Sequence, residues 1–148
     1  MTFPKTVISL SAADTESAGG ELAQLILSDS LPRFVALFGD LGVGKTAFVR
    51  GFTSVLAPKA KVKSPTFALV NQYKGDKVSV FHFDMYRIED EDDLYSIGFF
   101  DYIDAGICLV EWSENIVSSL PDSYVRVEIS KNDTQNIDSR LINITLVG

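Results

Sequence analysis

Gly39-Asp40-Leu41-Gly42-Val43-Gly44-Lys45-Thr46 satisfies the phosphate-loop pattern G-x-x-x-x-G-K-[ST] at every fixed position. A triphosphate needs several inward-pointing N–H donors at once, and glycines let the backbone wrap that closely where a Cβ would collide. Lys45 supplies a mobile positive charge for the β- and γ-phosphates, and the Thr46 hydroxyl is a hard oxygen ligand for Mg²⁺. A helix beginning at the end of the loop adds free N–H groups and its positive dipole end. Gly39, Leu41, Gly42, Val43, Gly44, Lys45 and Thr46 are therefore the candidate phosphate-binding set. A chance glycine-rich turn is the competing explanation. The apolar run Arg33–Phe38 before the motif and the helical spacing of Phe48, Phe52 and Val55 after it argue against chance.

Two further runs carry acids where such chemistry needs them. Ala105-Gly106-Ile107-Cys108-Leu109-Val110-Glu111-Trp112 reads as a buried strand ending in a carboxylate, the arrangement of a Walker B element. Glu111 there can bind Mg²⁺ directly or through water and polarise an attacking water. Phe81-His82-Phe83-Asp84-Met85-Tyr86-Arg87 places Asp84 at the tip of a second apolar strand, with His82 on the same face at period two. Asp84 can hold Mg²⁺ through water or orient the attacking water. His82, between two phenylalanines, reads first as a satisfied core residue. The candidate catalytic residues are Lys45, Asp84 and Glu111, and the candidate metal ligands are Thr46, Asp84 and Glu111.

Three weaker candidates complete the set. Pro65 restricts its neighbours and presents Thr66 rigidly, either as a sensor of the γ-phosphate or as an ordinary strand-start turn. Ser11 and Thr15 could approach the base or ribose, although helix capping is the commoner use of such residues. Arg140 could approach the nucleotide, with a surface role the simpler reading.

The elements that must position these groups follow from periodicity. Thr6–Leu10 reads as a strand, Ser11-Ala12-Ala13-Asp14 as a capping box, and the segment to about Leu27 as a helix burying Ala18, Leu22, Leu25 and Ile26. Phe67–Tyr73 and Lys77–Phe83 read as strands joined by a hairpin at Lys74-Gly75-Asp76, so the sheet is expected to be mixed. Gly51, inside the second helix, predicts a close helix contact. Glu89-Asp90-Glu91-Asp92-Asp93 reads first as a solvated helix start, with a docking surface as the alternative. Tyr124–Ile129 and Arg140–Val147 read as alternating strands with a polar turn between them.

Composition limits the partners. The chain has 148 residues, 46% hydrophobic, with a net charge of −7, which suits one domain with a real core and disfavours holding nucleic acid by its own phosphate contacts. The lone Cys108, in an apolar run, reads as an inert buried thiol, and one Cys with one His cannot build a structural zinc site. Val7-Ile8-Ser9-Leu10 is too short for a leader or a membrane span, so a soluble cytoplasmic protein without membrane contact is expected.

The phosphate loop, Ser64-Pro65-Thr66-Phe67, His82-Phe83-Asp84-Met85-Tyr86-Arg87 and Val110-Glu111-Trp112, in this order and in so short a chain, resemble the bacterial tRNA threonylcarbamoyladenosine biosynthesis ATPase family, TsaE. The resemblance implies an α/β P-loop nucleoside triphosphate hydrolase fold, a mixed central sheet with helices on both faces, in one domain spanning residues 1–148. It implies ATP and Mg²⁺ as ligands, Lys45 and Thr46 at phosphate and metal, a switch-like Thr66, and Asp84 and Glu111 serving metal and water. It also implies nucleotide-dependent docking on a TsaB–TsaD heterodimer, whose reset between turnovers ATP hydrolysis would drive, with tRNA met only indirectly. The likeness departs at Phe99-Phe100-Asp101, where relatives carry more glutamate. Two other functions remain compatible with the loop: a small-molecule kinase, for which no arginine-rich lid is visible, and a non-catalytic module in which nucleotide only sets conformation. No N-K-x-D motif appears, so ATP is favoured over GTP.

Overall fold

A computed structural model describes residues 2–28, 31–39, 44–65, 69–132 and 136–148. In chain order the elements are β1 (Lys5–Ser9), α1 (Ala12–Ser28), β2 (Phe34–Phe38), α2 (Lys45–Leu56), β3 (Val70–Lys74), β4 (Ser79–Asp84), α3 (Glu91–Ser96), α4 (Phe99–Tyr102) and β5 (Ile107–Glu111). A 3₁₀ segment (Ser113–Ser119), β6 (Tyr124–Lys131) and β7 (Arg140–Val147) complete the chain.

The strands form one sheet in the order β1-β7-β6-β2-β5-β4-β3. β2 carries no polar residue and is buried throughout, as a strand covered on both faces must be. It pairs in parallel with β5 and β6, and β4 pairs in parallel with β5. The hairpin partner β3 and the strand β7 run antiparallel to their neighbours, which makes the sheet mixed.

Alternation along the central strands divides the core in two. Val35, Leu37, Val80, Ile107 and Leu109 face α1 and α2 and pack with Leu22, Ile26, Phe48 and Phe52. Phe34, Ala36, Phe83, Cys108 and Val110 face the other way and pack with Leu94, Phe99 and Ile116. Helices therefore lie on both faces. α1 starts with a reciprocal cap: Asp14 N–H donates to Ser11 Oγ (3.1 Å) and Leu10 N–H donates to Asp14 Oδ2 (3.0 Å). The α1–α2 crossing is as close as Gly51 predicts, since a Cβ there would run into the Glu16 carbonyl, and one on Gly19 into that of Phe48. The acidic run opens α3, with the Asp90 side chain accepting from Asp93 N–H.

The hairpin differs from expectation at both ends. Its turn takes residues 75–78, closed by Gly75 N–H to the Val78 carbonyl at 3.1 Å, so β4 begins two residues late. β3 begins at Val70 because Leu69 turns left-handed (φ 66°) and its N–H bonds back to the Pro65 carbonyl at 2.7 Å. Among the described residues no helix is long and apolar enough to cross a membrane.

Candidate functional site at the strand tips

Parallel strands end together, and that fact builds the site. β2, β4 and β5 run the same way, so Gly39, Asp84 and Glu111 reach one rim of the sheet. Asp84 and Glu111 are register partners, one strand spacing apart, roughly 4.8 Å. Their parity puts both on the α1/α2 face, which is also the face of the helix that begins with Lys45. Gly44 caps that helix in a left-handed conformation (φ 106°) with no side-chain cap, a backbone that glycine adopts readily. Asp84 and Glu111 are 9% and 6% exposed and Lys45 is 5% exposed, so these charges are largely sheltered from water.

Each side chain is held. Lys45 Nζ donates to the Gly39 carbonyl at 2.5 Å and sits 4.0 Å from the centroid of the Trp112 ring. Trp112 has a left-handed backbone (φ 58°) unusual for a bulky residue. That turn carries its indole beside Tyr86, with centroids 5.0 Å apart. Asp84 Oδ1 accepts from Tyr86 N–H at 2.9 Å. Glu111 Oε2 lies 2.5 Å from His82 Nε2. Among the described residues, Asp84 Oδ2 and Glu111 Oε1 take no hydrogen bond. One oxygen of each acid is thus anchored.

Other candidates fall at varying distances from this rim. Thr46 occupies the second position of α2, half-buried. Ser11 is exposed and caps α1. Thr15 is closer: it is buried, its hydroxyl pairs with Ser9 Oγ at 2.7 Å, and its methyl is the nearest neighbour of a Cβ built on Gly44. Arg140 lies across from Ser9 at the start of β7, with Nη1 donating to the carbonyls of Ile137 (2.7 Å) and Ser139 (3.0 Å). These bonds turn its guanidinium onto its own loop. Leu41, Gly42, Val43 and Thr66 lie outside the described residues.

Glu114 is a participant that sequence reasoning missed. Its Oε2 accepts from Gly39 N–H at 2.9 Å, clasping the residue that follows β2 from the 3₁₀ segment. Its only sequence signal is its place three residues after Glu111, which by itself means little. Among the described residues no three His, Cys, Asp or Glu side chains gather as a metal cage. A site that takes Mg²⁺ along with nucleotide phosphates needs fewer, one or two carboxylates with water and phosphate completing the shell.

The chain matches known proteins over most of its length. The family model for threonylcarbamoyl adenosine biosynthesis protein TsaE matches residues 9–142. The TsaE protein of Aquifex aeolicus is 41% identical over 116 residues, covering 77% of this chain and 80% of the relative. That of Haemophilus influenzae is 36% identical over 124 residues, covering 81% and 78%. Among solved structures, Bacillus subtilis YdiB superposes with a TM-score of 0.74 at 26% identity, covering all of this chain and 90% of YdiB. Length of match, identity and architecture agree, and the chain belongs to the TsaE family of proteins of tRNA threonylcarbamoyladenosine biosynthesis.

Proposed function

We propose that this chain binds ATP with Mg²⁺ and hydrolyses it slowly to ADP and phosphate, and that its nucleotide state controls docking on a TsaB–TsaD-type heterodimer. The observation that carries this reading is the meeting of Lys45, Asp84 and Glu111 at one rim and on one face of the sheet. On this reading the domain is a P-loop nucleoside triphosphate hydrolase.

The residues suit the ligands. The uncapped start of α2 behind a left-handed Gly44 is shaped for an anion. Thr46, Asp84 and Glu111 would hold Mg²⁺, and the acid oxygens that take no hydrogen bond among the described residues support that assignment. The metal would supply charge neutralisation for the phosphates. Lys45 leaves the Gly39 carbonyl and neutralises the β- and γ-phosphate oxygens. Glu111 Oε1 accepts a hydrogen bond from the attacking water and orients it. Leu41, Gly42 and Val43 complete the cradle and Thr66 senses the γ-phosphate. Ser11 and Arg140 are proposed near the nucleoside end. Arg50 and Arg126 are paired with Glu16 (2.8 Å) and Glu128 (3.2 Å), which supports slow turnover in the isolated chain. A partner-supplied arginine can be worth about 10³–10⁵ in rate. The net charge of −7 supports indirect contact with tRNA.

The test compares ATP affinity with phosphate release. Glu111→Gln should keep ATP affinity and lose about 100-fold in release, whereas Lys45→Ala should lose both. Release without any added acceptor separates hydrolysis from transfer to a metabolite. Undiminished release in Glu111→Gln would sink the catalytic assignment. Capture of TsaB–TsaD that ignores ATP–Mg²⁺ would sink the docking assignment.

A further inference from the structure

A carboxylate at a strand tip can rotate, and a rotating acid serves water or metal poorly. Glu111 is restrained by a chain of buried groups that the proposed hydrolysis does not otherwise use. Its Oε2 lies 2.5 Å from His82 Nε2, and His82 Nδ1 lies 3.0 Å from the Tyr73 hydroxyl. That hydroxyl meets both main-chain groups of Lys63, the N–H at 3.1 Å and the carbonyl at 3.0 Å. His82 has no exposed surface, and Tyr73 is 5% exposed. The path runs unbroken from Glu111 to Lys63, three residues before Thr66 in sequence.

Core packing alone does not explain an imidazole here. On the same face of the sheet its neighbours include the apolar Val80 and Leu109 beside the polar Asn71 and Asp84, and an aliphatic side chain would avoid the cost of burying two ring nitrogens. Both nitrogens are bonded instead, one to a carboxylate and one to a hydroxyl that is itself fixed to main chain. An acid held by one oxygen has a defined direction for the other. A ring held at both nitrogens cannot swing away from it.

We propose that His82 and Tyr73 are positioning residues. They hold Glu111 by Oε2, aim Oε1 toward water and metal, and couple that aim to the Lys63 main chain. The proposal rests on the reading of Glu111 as the acid that serves metal and water.

Two substitutions at one position separate the bonds. The amide nitrogen of Gln reaches the place of His82 Nε2, whereas that of Asn reaches only the place of Nδ1. Single-turnover phosphate release, with protein in excess of ATP, is measured beside ATP affinity and melting temperature. His82→Asn should slow release about 10- to 100-fold at unchanged ATP affinity. His82→Gln should recover most of that loss, and Tyr73→Phe, which removes only the hydroxyl, should fall between them. In a Glu111→Gln background His82→Asn should add little.

Wild-type release in both His82→Asn and Tyr73→Phe overturns the proposal. So does a loss that follows ATP affinity or melting temperature, or one that is the same in Asn and Gln. If Glu111→Gln is itself as fast as wild type, the reading of Glu111 fails first. If Glu111→Gln is slow while His82→Asn is fast, only the positioning role fails.

Discussion

In β4 and β5 both faces of the sheet are buried, and they are chemically opposite. From β4 and β5, the α1/α2 face receives Val80, His82 and Asp84, with Ile107, Leu109 and Glu111. The same two strands send Phe81, Phe83, Cys108 and Val110 to the other side. There the aromatics pack edge to face, with Phe83 and Phe99 centroids 5.3 Å apart and Phe34 and Phe99 6.1 Å apart. Each face holds buried titratable groups, in different surroundings. Glu111 has His82 as a partner and stands at the rim, where its Oε1 takes no hydrogen bond among the described residues. Cys108 lies deep in the sheet, where burial, with Asp104 adding to it, pushes the thiol up to about 12. Burial makes a group inert where nothing compensates for lost water and makes it directional where hydrogen bonds do.

This contrast can be broken most severely on the aromatic face. Phe99→Ala removes a fully buried ring and should cost about 4 kcal/mol of stability, with the ATP affinity of the remaining folded protein unchanged. Loss of affinity in step with stability, followed by melting and by fluorescent-nucleotide titration, would show that the two faces are not independent.

The α1/α2 face should fail by crowding instead. Gly51→Ala forces a Cβ into the Glu16 carbonyl, which should cost about 3 kcal/mol and lower the melting temperature by roughly 10 °C. Gly20→Ala makes a useful control, since its Cβ would meet the Gly51 carbonyl and the Val55 side chain no closer than 3.4 Å. An equal loss in both would assign the effect to helix α1 at large and not to the crossing.

The effect that is smallest near neutral pH concerns the Cys108 thiol. With its folded-state value near 12 against an ordinary 9.0, the Cys108 thiol stays neutral in the folded chain while the unfolded chain ionises. Its contribution to stability is complete below about pH 9 and is lost as pH rises toward 12, at up to about 1.4 kcal/mol per pH unit. Cys108→Ala, weaker at neutral pH for its lost volume, should therefore decline less steeply above pH 9 in denaturant titrations. Parallel declines would remove the thiol from the account.

The parts of the site that are local in the chain were legible in its residues. β2 and α2 flank a contiguous loop, so their polarity pattern announced a buried strand and a helix beginning near Lys45 before any contact was known. Glu111 and Asp84 announced themselves as acids ending apolar runs, and the hairpin predicted a mixed sheet. The capping box at Ser11 and the close approach at Gly51 were equally local. Tyr73 read as an ordinary strand residue and His82 as a core residue, because neither type, taken alone, names its partner. Glu114 was silent for the same reason.

Alternation and punctuation along the chain determined which residues form strands and which acids stand at their tips. Only the tertiary structure decided that Glu111 leans on a histidine 29 residues away and that Gly39 is clasped by a glutamate 75 residues away. Periodicity fixes the face a side chain occupies within its own strand. Strand order and register fix whom it meets there, and those depend on the packing of the whole sheet.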